Sequence, residues 1–402
     1  MALREELADV SQPIPLVDTA AEFKVHGKEI MSAVQQVAES GKFIMGPQVR
    51  QLETVLEQYV HNDDAEHEKV HCIGVSDGTA ALQICLMALG IGPGHEAITV
   101  PFTWISSAEV IPLVGATPIF VDIEPDTYDI DANNMSHLIT ANTRAVIAVS
   151  LFGVIPDLAR IRQVLDEAEQ KFGTTIALIE DGAQSFGAIR QGYRSCGSPH
   201  ATLSTTSFFP TKPLACYGDG GAVFTRNEKL ADSIRAIRVH GKVDGLHAMV
   251  GLNARLDTLQ AAVLLTKMSY FDENLKARQK VAEIYSRLLQ EDERVVVPTY
   301  TRVMQSDGMK SAYGVYTIQV QQRDEVVRRL KQASIACAVY YKTCCHKQPV
   351  FDSQQELPTS EGMCNKVLSL PIHPYLTEKQ QVRIVRELRT TLDDLGINHP
   401  PS

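Results

Sequence analysis

The 402-residue chain has one tryptophan, and aromatic residues make up only 6% of it. Its eight cysteines (Cys72, Cys85, Cys196, Cys216, Cys337, Cys344, Cys345 and Cys364) form no Cys-x-x-Cys pair. That excludes the common zinc and dithiol patterns, so no metal site is expected. Several of these cysteines fall in apolar runs, as suits reduced, buried thiols in a cytoplasmic protein. No block of Lys and Arg occurs and the net charge is −10, which speaks against nucleic acid and against an anionic membrane surface. No apolar run approaches membrane-spanning length, and residues 1–6 carry no apolar stretch of a secretory signal. Internal repeats and low-complexity linkers are also missing. What remains, 44% hydrophobic and 21% charged, is a globular chain long enough for one large domain and a smaller one.

Against this plain background one lysine stands out. Lys212 lies in Ser207-Phe-Phe-Pro-Thr-Lys-Pro-Leu-Ala-Cys-Tyr-Gly-Asp-Gly-Gly221, between two prolines and ahead of a glycine-rich turn. Most lysines are solvated surface charges. A lysine that attacks an aldehyde instead needs its amine desolvated and aimed, and a stiff, tight loop supplies that. Upstream, Asp181 follows the apolar run Ile176–Ile179 and is expected at the carboxyl edge of a buried strand, where open α/β sheets bind ligands. An Asp there is commonly a turn or helix cap. Together with Lys212, however, it gives the minimum equipment for pyridoxal 5′-phosphate (PLP): an amine for the aldehyde and a carboxylate for the pyridine nitrogen.

A third element is consistent with that cofactor. Gly74-Val-Ser-Asp-Gly78-Thr79-Ala80 leads into the apolar run 81–89, which reads as a buried helix with Gly78, Thr79 and Ala80 as its first turn. Unpaired N–H groups and the positive dipole end favour a phosphate there, and the Thr79 hydroxyl adds a donor. Asp-Gly-Thr is equally an ordinary cap, and without Gly-Lys-Ser/Thr it is no P-loop. The glycines of 90–94 follow a helix and precede a strand, the reverse of a dinucleotide fingerprint.

The rest of the chain alternates strands and helices. After Gly46-Pro47, residues Val49, Leu52, Val55, Leu56, Tyr59 and Val60 mark one helical face. Short apolar runs at 97–101, 117–122, 145–150 and 176–179, with helical patterns between several of them, predict a mainly parallel sheet flanked by helices. Strands are expected around Lys212 at 204–209 and 222–225. One long helix is predicted from about Leu256 to Leu289 and offers the best domain boundary. Beyond it, a strand is expected at 315–320, a helix at 324–332, a strand at 335–341, and a closing helix from Thr377 with Gln380 at capping-box spacing. The division is therefore 1–270, a large domain with its N-terminal segment, and 271–402, a smaller α+β domain.

At this stage Gly78-Thr79-Ala80, Pro101-Phe-Thr-Trp104, Glu180-Asp181-Gly-Ala-Gln184-Ser185, Ser207-Phe-Phe-Pro-Thr-Lys212 and His240-Gly241 together resemble the sugar-nucleotide aminotransferases of the DegT/DnrJ/StrS family, in the right order over nearly the whole chain. Further stretches, 207–221, 253–260 and 368–374, resemble one subgroup. Its members aminate C3 of a UDP-linked 2-acetamido-3-oxo-glucuronic acid, for surface polysaccharides such as O-antigen. The resemblance implies a PLP-dependent transferase of fold type I, aspartate aminotransferase-like, working as a homodimer with shared active sites. It implies L-glutamate as donor, released as 2-oxoglutarate. Alternatives on the same fold are amination of a 4-oxo sugar nucleotide, a PLP-dependent sugar dehydratase (disfavoured because those relatives carry histidine where this chain has Lys212), and a non-catalytic PLP-binding regulator.

Carried over residue by residue, the resemblance makes Lys212 the covalent attachment point and proton carrier, and Asp181 the partner of the ring nitrogen. Gln184 donates to the ring oxygen and Trp104 stacks on the ring. Gly78, Thr79, Ala80 and Ser207 hold the phosphate, joined by Asn253 of the second subunit. Arg255, whose fork suits a carboxylate, is the specificity candidate, with Tyr340 and Tyr341 near the sugar. The chain departs from the family at Tyr340-Tyr341-Lys342, where relatives usually carry His-Tyr-Pro. It departs again at Asp77, where Asn is frequent and where a carboxylate is expected to turn away from a phosphate.

Overall fold

The computed structural model describes residues 12–61, 68–298 and 308–401; the reading of residues 1–6 lies outside them. A seven-stranded sheet forms from β1 (His71–Val75), β2 (Glu96–Thr99), β3 (Thr117–Phe120), β4 (Thr143–Val149), β5 (Ala177–Asp181), β6 (Leu203–Ser207) and β7 (Gly221–Thr225). Its order is β1-β7-β6-β5-β4-β2-β3. Only β7 runs antiparallel to its neighbours; the β2–β3, β2–β4, β4–β5 and β5–β6 pairs are parallel.

The central strands read as near-continuous apolar runs because both faces of the sheet are covered. Successive side chains go to opposite faces. On β4, Val146 and Ala148 enter one core, with Leu52 of α2 (Pro47–His61) and Leu165 of α6 (Leu158–Phe172). Ala145 and Ile147 enter the other core, which holds residues of α3 (Gly78–Ala88), α4 (Ser106–Leu113) and α7 (Glu228–Ile237). α5 (Ala132–Leu138) packs against α6. All eight cysteines are free and buried, as their apolar surroundings suggested.

The same alternation separates Glu180 from Asp181 at the end of β5. Glu180 faces with Leu178 into a buried polar knot. Its carboxylate accepts from Ser195 Oγ (2.8 Å), the Cys196 amide (3.0 Å), Ser150 Oγ (3.1 Å) and Ser204 Oγ (3.1 Å). Burial pushes its pKa up, and these four donors oppose that shift. The knot ties the carboxyl ends of β4 and β5 to the first residues of β6, the three strands that carry the site.

The expected single helix over 256–289 is two helices, α8 (Thr258–Met268) and α9 (Phe271–Leu289). No Gly or Pro marks the break. It arises because α8 packs on α2 and on α1 (Thr19–Ser40), whereas α9 turns away to pack on α12 (Glu378–Asp394). A second sheet pairs β8 (Tyr316–Gln319) antiparallel with β9 (Val367–Leu370). With α9, α10 (Arg323–Gln332) and α12 it encloses another core containing Tyr285, Tyr316, Leu330, Leu368 and Leu388. The strand expected at 335–341 is not continuous. Ile335 bridges Ile14 while Ala338 bridges Ser369, so the segment changes partner before a ladder can build. α11 (Pro358–Lys366) leads into β9, and α12 opens with the Thr377–Gln380 capping box.

Removing the hub of the polar knot tests its weight. Glu180→Ala strands three hydroxyls and one amide, each charge-assisted bond being worth about 1.5–3 kcal/mol. The urea midpoint for unfolding of the large sheet should therefore fall by the equivalent of at least ~2 kcal/mol. A midpoint within ~0.5 kcal/mol of the parent, the size of an ordinary surface change, would show that the knot does not hold these strand ends.

Candidate active site

The carboxyl ends of β4, β5 and β6 and the first turn of α3 surround a cavity of about 520 Å³. Gly78, Thr79, Trp104, Asp181, Gln184, Ser207, Lys212, Tyr340 and Tyr341 line it, drawn from segments far apart in sequence. Ala80, Asn253 and Arg255 do not line it.

At one end lies a cradle. Asp77 caps α3: its Oδ1 accepts the Ala80 amide at 2.7 Å and its Oδ2 the Ser76 hydroxyl at 2.7 Å. This corrects the expectation for Ala80, whose N–H is committed to the cap. It also answers the oddity at Asp77, whose charge is turned onto the helix terminus, where a negative group is stabilised. The Gly78 and Thr79 amides remain as first-turn donors without an intrahelical acceptor. Thr79 Oγ1 pairs with Ser106 Oγ at 2.7 Å. A Cβ on residue 78 would sit 2.9 Å from Ser207 Cβ; glycine lets the helix start and the end of β6 close to this width.

At the other end Asp181 is buried. Its Oδ2 accepts from Ser107 Oγ at 2.7 Å and its Oδ1 from the Ala183 amide at 3.2 Å. Desolvation pushes its pKa up, opposed by those two donors and by the Lys212 ammonium. Burial conversely lowers the pKa of Lys212, with Asp181 pulling the other way. The lysine sits on the loop after β6, its own amide bonded to the Phe209 carbonyl at 2.9 Å.

Between the two ends, Trp104 presents its ring to the open space. At 61% exposure it is no core aromatic. Gln184 is held from both sides: its Oε1 accepts the Phe152 amide at 2.9 Å and its Nε2 donates to Tyr341 Oη at 3.1 Å. Tyr341 packs edge-on to Phe102, ring centroids 6.0 Å apart. Segment 253–255 runs beside the end of β1, with Asn253 bridged to Val239 and Arg255 to Val75.

Sequence reasoning missed Thr103, Ser106 and Ser107. The available signal was a pair of serines opening a helix directly after the sole tryptophan, a place where hydroxyl donors collect. It also missed Leu16 and Val17, which the N-terminal segment brings to the cavity wall.

These groups fit a phosphorylated pyridine aldehyde. Amides and hydroxyls meet the phosphate, a flat exposed ring meets the heterocycle, and a buried carboxylate meets a ring N–H. A half-buried amine of lowered pKa meets the aldehyde. Fold and site together define a PLP enzyme. The chain belongs to the DegT/DnrJ/EryC1/StrS aminotransferase family, whose model matches residues 24–389. It is 43% identical, over 87% of its length and 92% of the relative's, to UDP-2-acetamido-2-deoxy-3-oxo-D-glucuronate aminotransferase of Pseudomonas aeruginosa. It is 38% identical, over 93% and 97% of the two chains, to a Geobacillus stearothermophilus protein named pleiotropic regulatory protein. The crystal structure of NtdA from Bacillus subtilis with bound PMP superposes with a TM-score of 0.81 at 27% identity, covering 94% of this chain and 83% of that one. The protein is a PLP-dependent sugar-nucleotide aminotransferase. No helix among the described residues is long and apolar enough to cross a membrane.

Because burial lowers the Lys212 pKa, its neutral, nucleophilic form is present at lower pH than for a free lysine. The rate at which cofactor-free protein captures PLP should therefore rise with pH and level off below 10.5, the ordinary lysine value. Borohydride reduction and proteolysis should leave the pyridoxyl mark on Lys212. Label on another lysine would remove the assignment.

Proposed function

We propose that this enzyme transfers the amino group of L-glutamate to C3 of a UDP-linked 2-acetamido-3-oxo-uronic acid, yielding 2-oxoglutarate and a 2,3-diamino sugar acid for surface polysaccharide. The observation that carries the reading is the relative of that activity, matched over most of both chains. Joined to it are a lysine and an aspartate that line one cavity and feel each other's charge. Both groups also make a purely regulatory role a poor fit, although one relative bears a regulatory name.

In this reading Lys212 holds the cofactor, and its Nζ then carries a proton between the cofactor carbon and the substrate carbon. The protonated pyridine ring, when bound, supplies an electron sink. Asp181 keeps the proton on the ring nitrogen. Gly78, Thr79 and Ser207 hold the phosphate. Trp104 covers one ring face and Gln184, braced by Phe152 and Tyr341, orients the ring oxygen. Tyr340 and Tyr341 border the sugar.

We propose further that the active enzyme is a cytoplasmic homodimer, each chain dividing near residue 270. The charge of the cavity supports the dimer. Its lining carries Asp77, Asp181 and Asp219 against Lys212 alone among charged residues, a poor match for a phosphate plus an anionic sugar nucleotide. Additional cationic and donor groups must come from outside. Asn253 and Arg255 lie near a run of exposed apolar residues. Phe43, Ile44 and Met45 are 46%, 53% and 41% exposed, and the Phe43 carbonyl and Ile44 pair with Thr258 and Asp257. A second copy seated there brings Asn253 to the phosphate and Arg255 to the substrate carboxylate.

Two substitutions test the reading. Asp181→Asn should still bind PLP while turnover falls by about two orders of magnitude or more, since a neutral ring is a weak electron acceptor. Near-normal turnover would remove Asp181 from this role. Arg255→Ala should raise KM for the uronic acid at least tenfold, a lost charge-assisted fork being worth about 1.5–3 kcal/mol, and abolish the preference for the acid over the neutral 3-oxo sugar. Impairment confined to the glutamate half-reaction would reassign Arg255 to the donor, and equal use of acid and neutral sugars by the parent enzyme would sink the uronic acid assignment.

A further inference from the structure

The segment after β2 and the first turn of α4 bring Thr103, Trp104 and Ser106 to the cavity wall. Trp104 exposes its ring between the two ends. Ser106 bonds to Thr79 at the cradle, and Ser107 bonds to Asp181 at the opposite end. Ser107 is 1% exposed, and its oxygen also lies 3.1 Å from Thr103 Oγ1, itself 3% exposed.

Proton counting fixes the direction of this chain. An ionised carboxylate only accepts, so the single hydroxyl proton of Ser107 goes to Asp181 Oδ2. Ser107 then has none left for Thr103, and the Thr103 hydroxyl must donate to Ser107. Two aligned hydroxyls thus end on one carboxylate oxygen while the Ala183 amide holds the other. The carboxylate cannot rotate without breaking both bonds, and the residue so held lines the cavity.

We propose that Ser107, backed by Thr103, is a positioning residue for transamination: it fixes which way the Asp181 carboxylate faces and holds its negative charge in a dry site. The inference rests on the role proposed above for Asp181. Burial alone pushes Asp181 toward its neutral form, and Ser107 is the strongest group opposing it. The other titratable groups that feel Asp181 are Lys212 on the loop after β6, Tyr341, Cys85 of α3 and Cys196. Burial raises the pKa values of the tyrosine and both thiols, keeping them neutral, so Lys212 is the only charged partner among them. Losing the Ser107 hydroxyl raises the Asp181 pKa, and the ionised form then gives way at higher pH as the solution is acidified.

The test uses PLP-loaded protein. Ser107→Ala should keep PLP bound, while the visible absorption of the cofactor, followed against pH, shows its acid transition at least one pH unit higher than in the parent. Single-turnover reaction with L-glutamate should slow about tenfold at neutral pH, its acid limb moving in the same direction, with the apparent affinity for glutamate within twofold. Ser107→Thr, which restores the hydroxyl, should recover both to within threefold. If Ser107→Ala does not fold, Thr103→Val removes the backing donor at nearly constant shape and should move the spectral transition by a smaller step in the same direction. Asp181→Asn serves as the control. If it abolishes the parent's pH response while the hydroxyl variants leave that response unchanged, Ser107 is only structural. If Asp181→Asn also titrates like the parent, the assignment of Asp181 itself fails.

Discussion

The site depends on a negative charge held where water is scarce. Asp181 ends a fully buried strand, and a carboxylate there is costly unless donors or a cation compensate. The fold supplies one hydroxyl and one amide, and Lys212 is the cation. The two ionisable groups pull against each other's desolvation: burial weakens the charge on each, and each supports the charge on the other. This balance leaves the lysine a readier nucleophile and the aspartate still able to pair with a ring cation. Neither state would persist at an exposed position, where solvent screens such pairs.

Keeping both groups in register requires that the strand ends not fray. Glu180, one residue before Asp181, points through the sheet to its opposite side and there binds donors from beyond β4 and from β6. The pleat of a single strand thus sends one carboxylate to anchor the scaffold and the next to the cavity. On the cavity side, close approach matters as much as charge. Gly78 and Ser207 are packed closely enough that any side chain at 78 would force them apart, so the width of the cradle is set by a missing Cβ. The three lining carboxylates leave the cavity short of positive charge, with Lys212 as its one cationic lining residue.

Much of this was legible in the residue pattern. Asp181 at a strand end, Lys212 between prolines and the first turn of α3 were readable because each depends on local chemistry: an apolar run, a stiffened loop, a cap. The buried β4 and β5 strands and the Thr377 capping box were readable for the same reason. The break between α8 and α9 was not, because no Gly or Pro announces it; it follows from the different neighbours of the two helices. The segment 335–341 has strand composition, but it meets the N-terminal residues first and β9 second, and composition carries no information about partners.

By itself the sequence determined which residues are able to do chemistry: an amine kept off the surface, a carboxylate at a buried edge, donors at a helix start and one tryptophan. It determined the α/β order as well, since apolar periodicity is a local property. Tertiary structure decided which of those residues meet. It committed the Ala80 amide to Asp77, set Ser106 and Ser107 against the two ends of the cavity, and left Asn253 and Arg255 outside their own chain's cavity. Such outcomes depend on distances between segments dozens of residues apart, which the packing of the helices on the sheet fixes and no local pattern encodes.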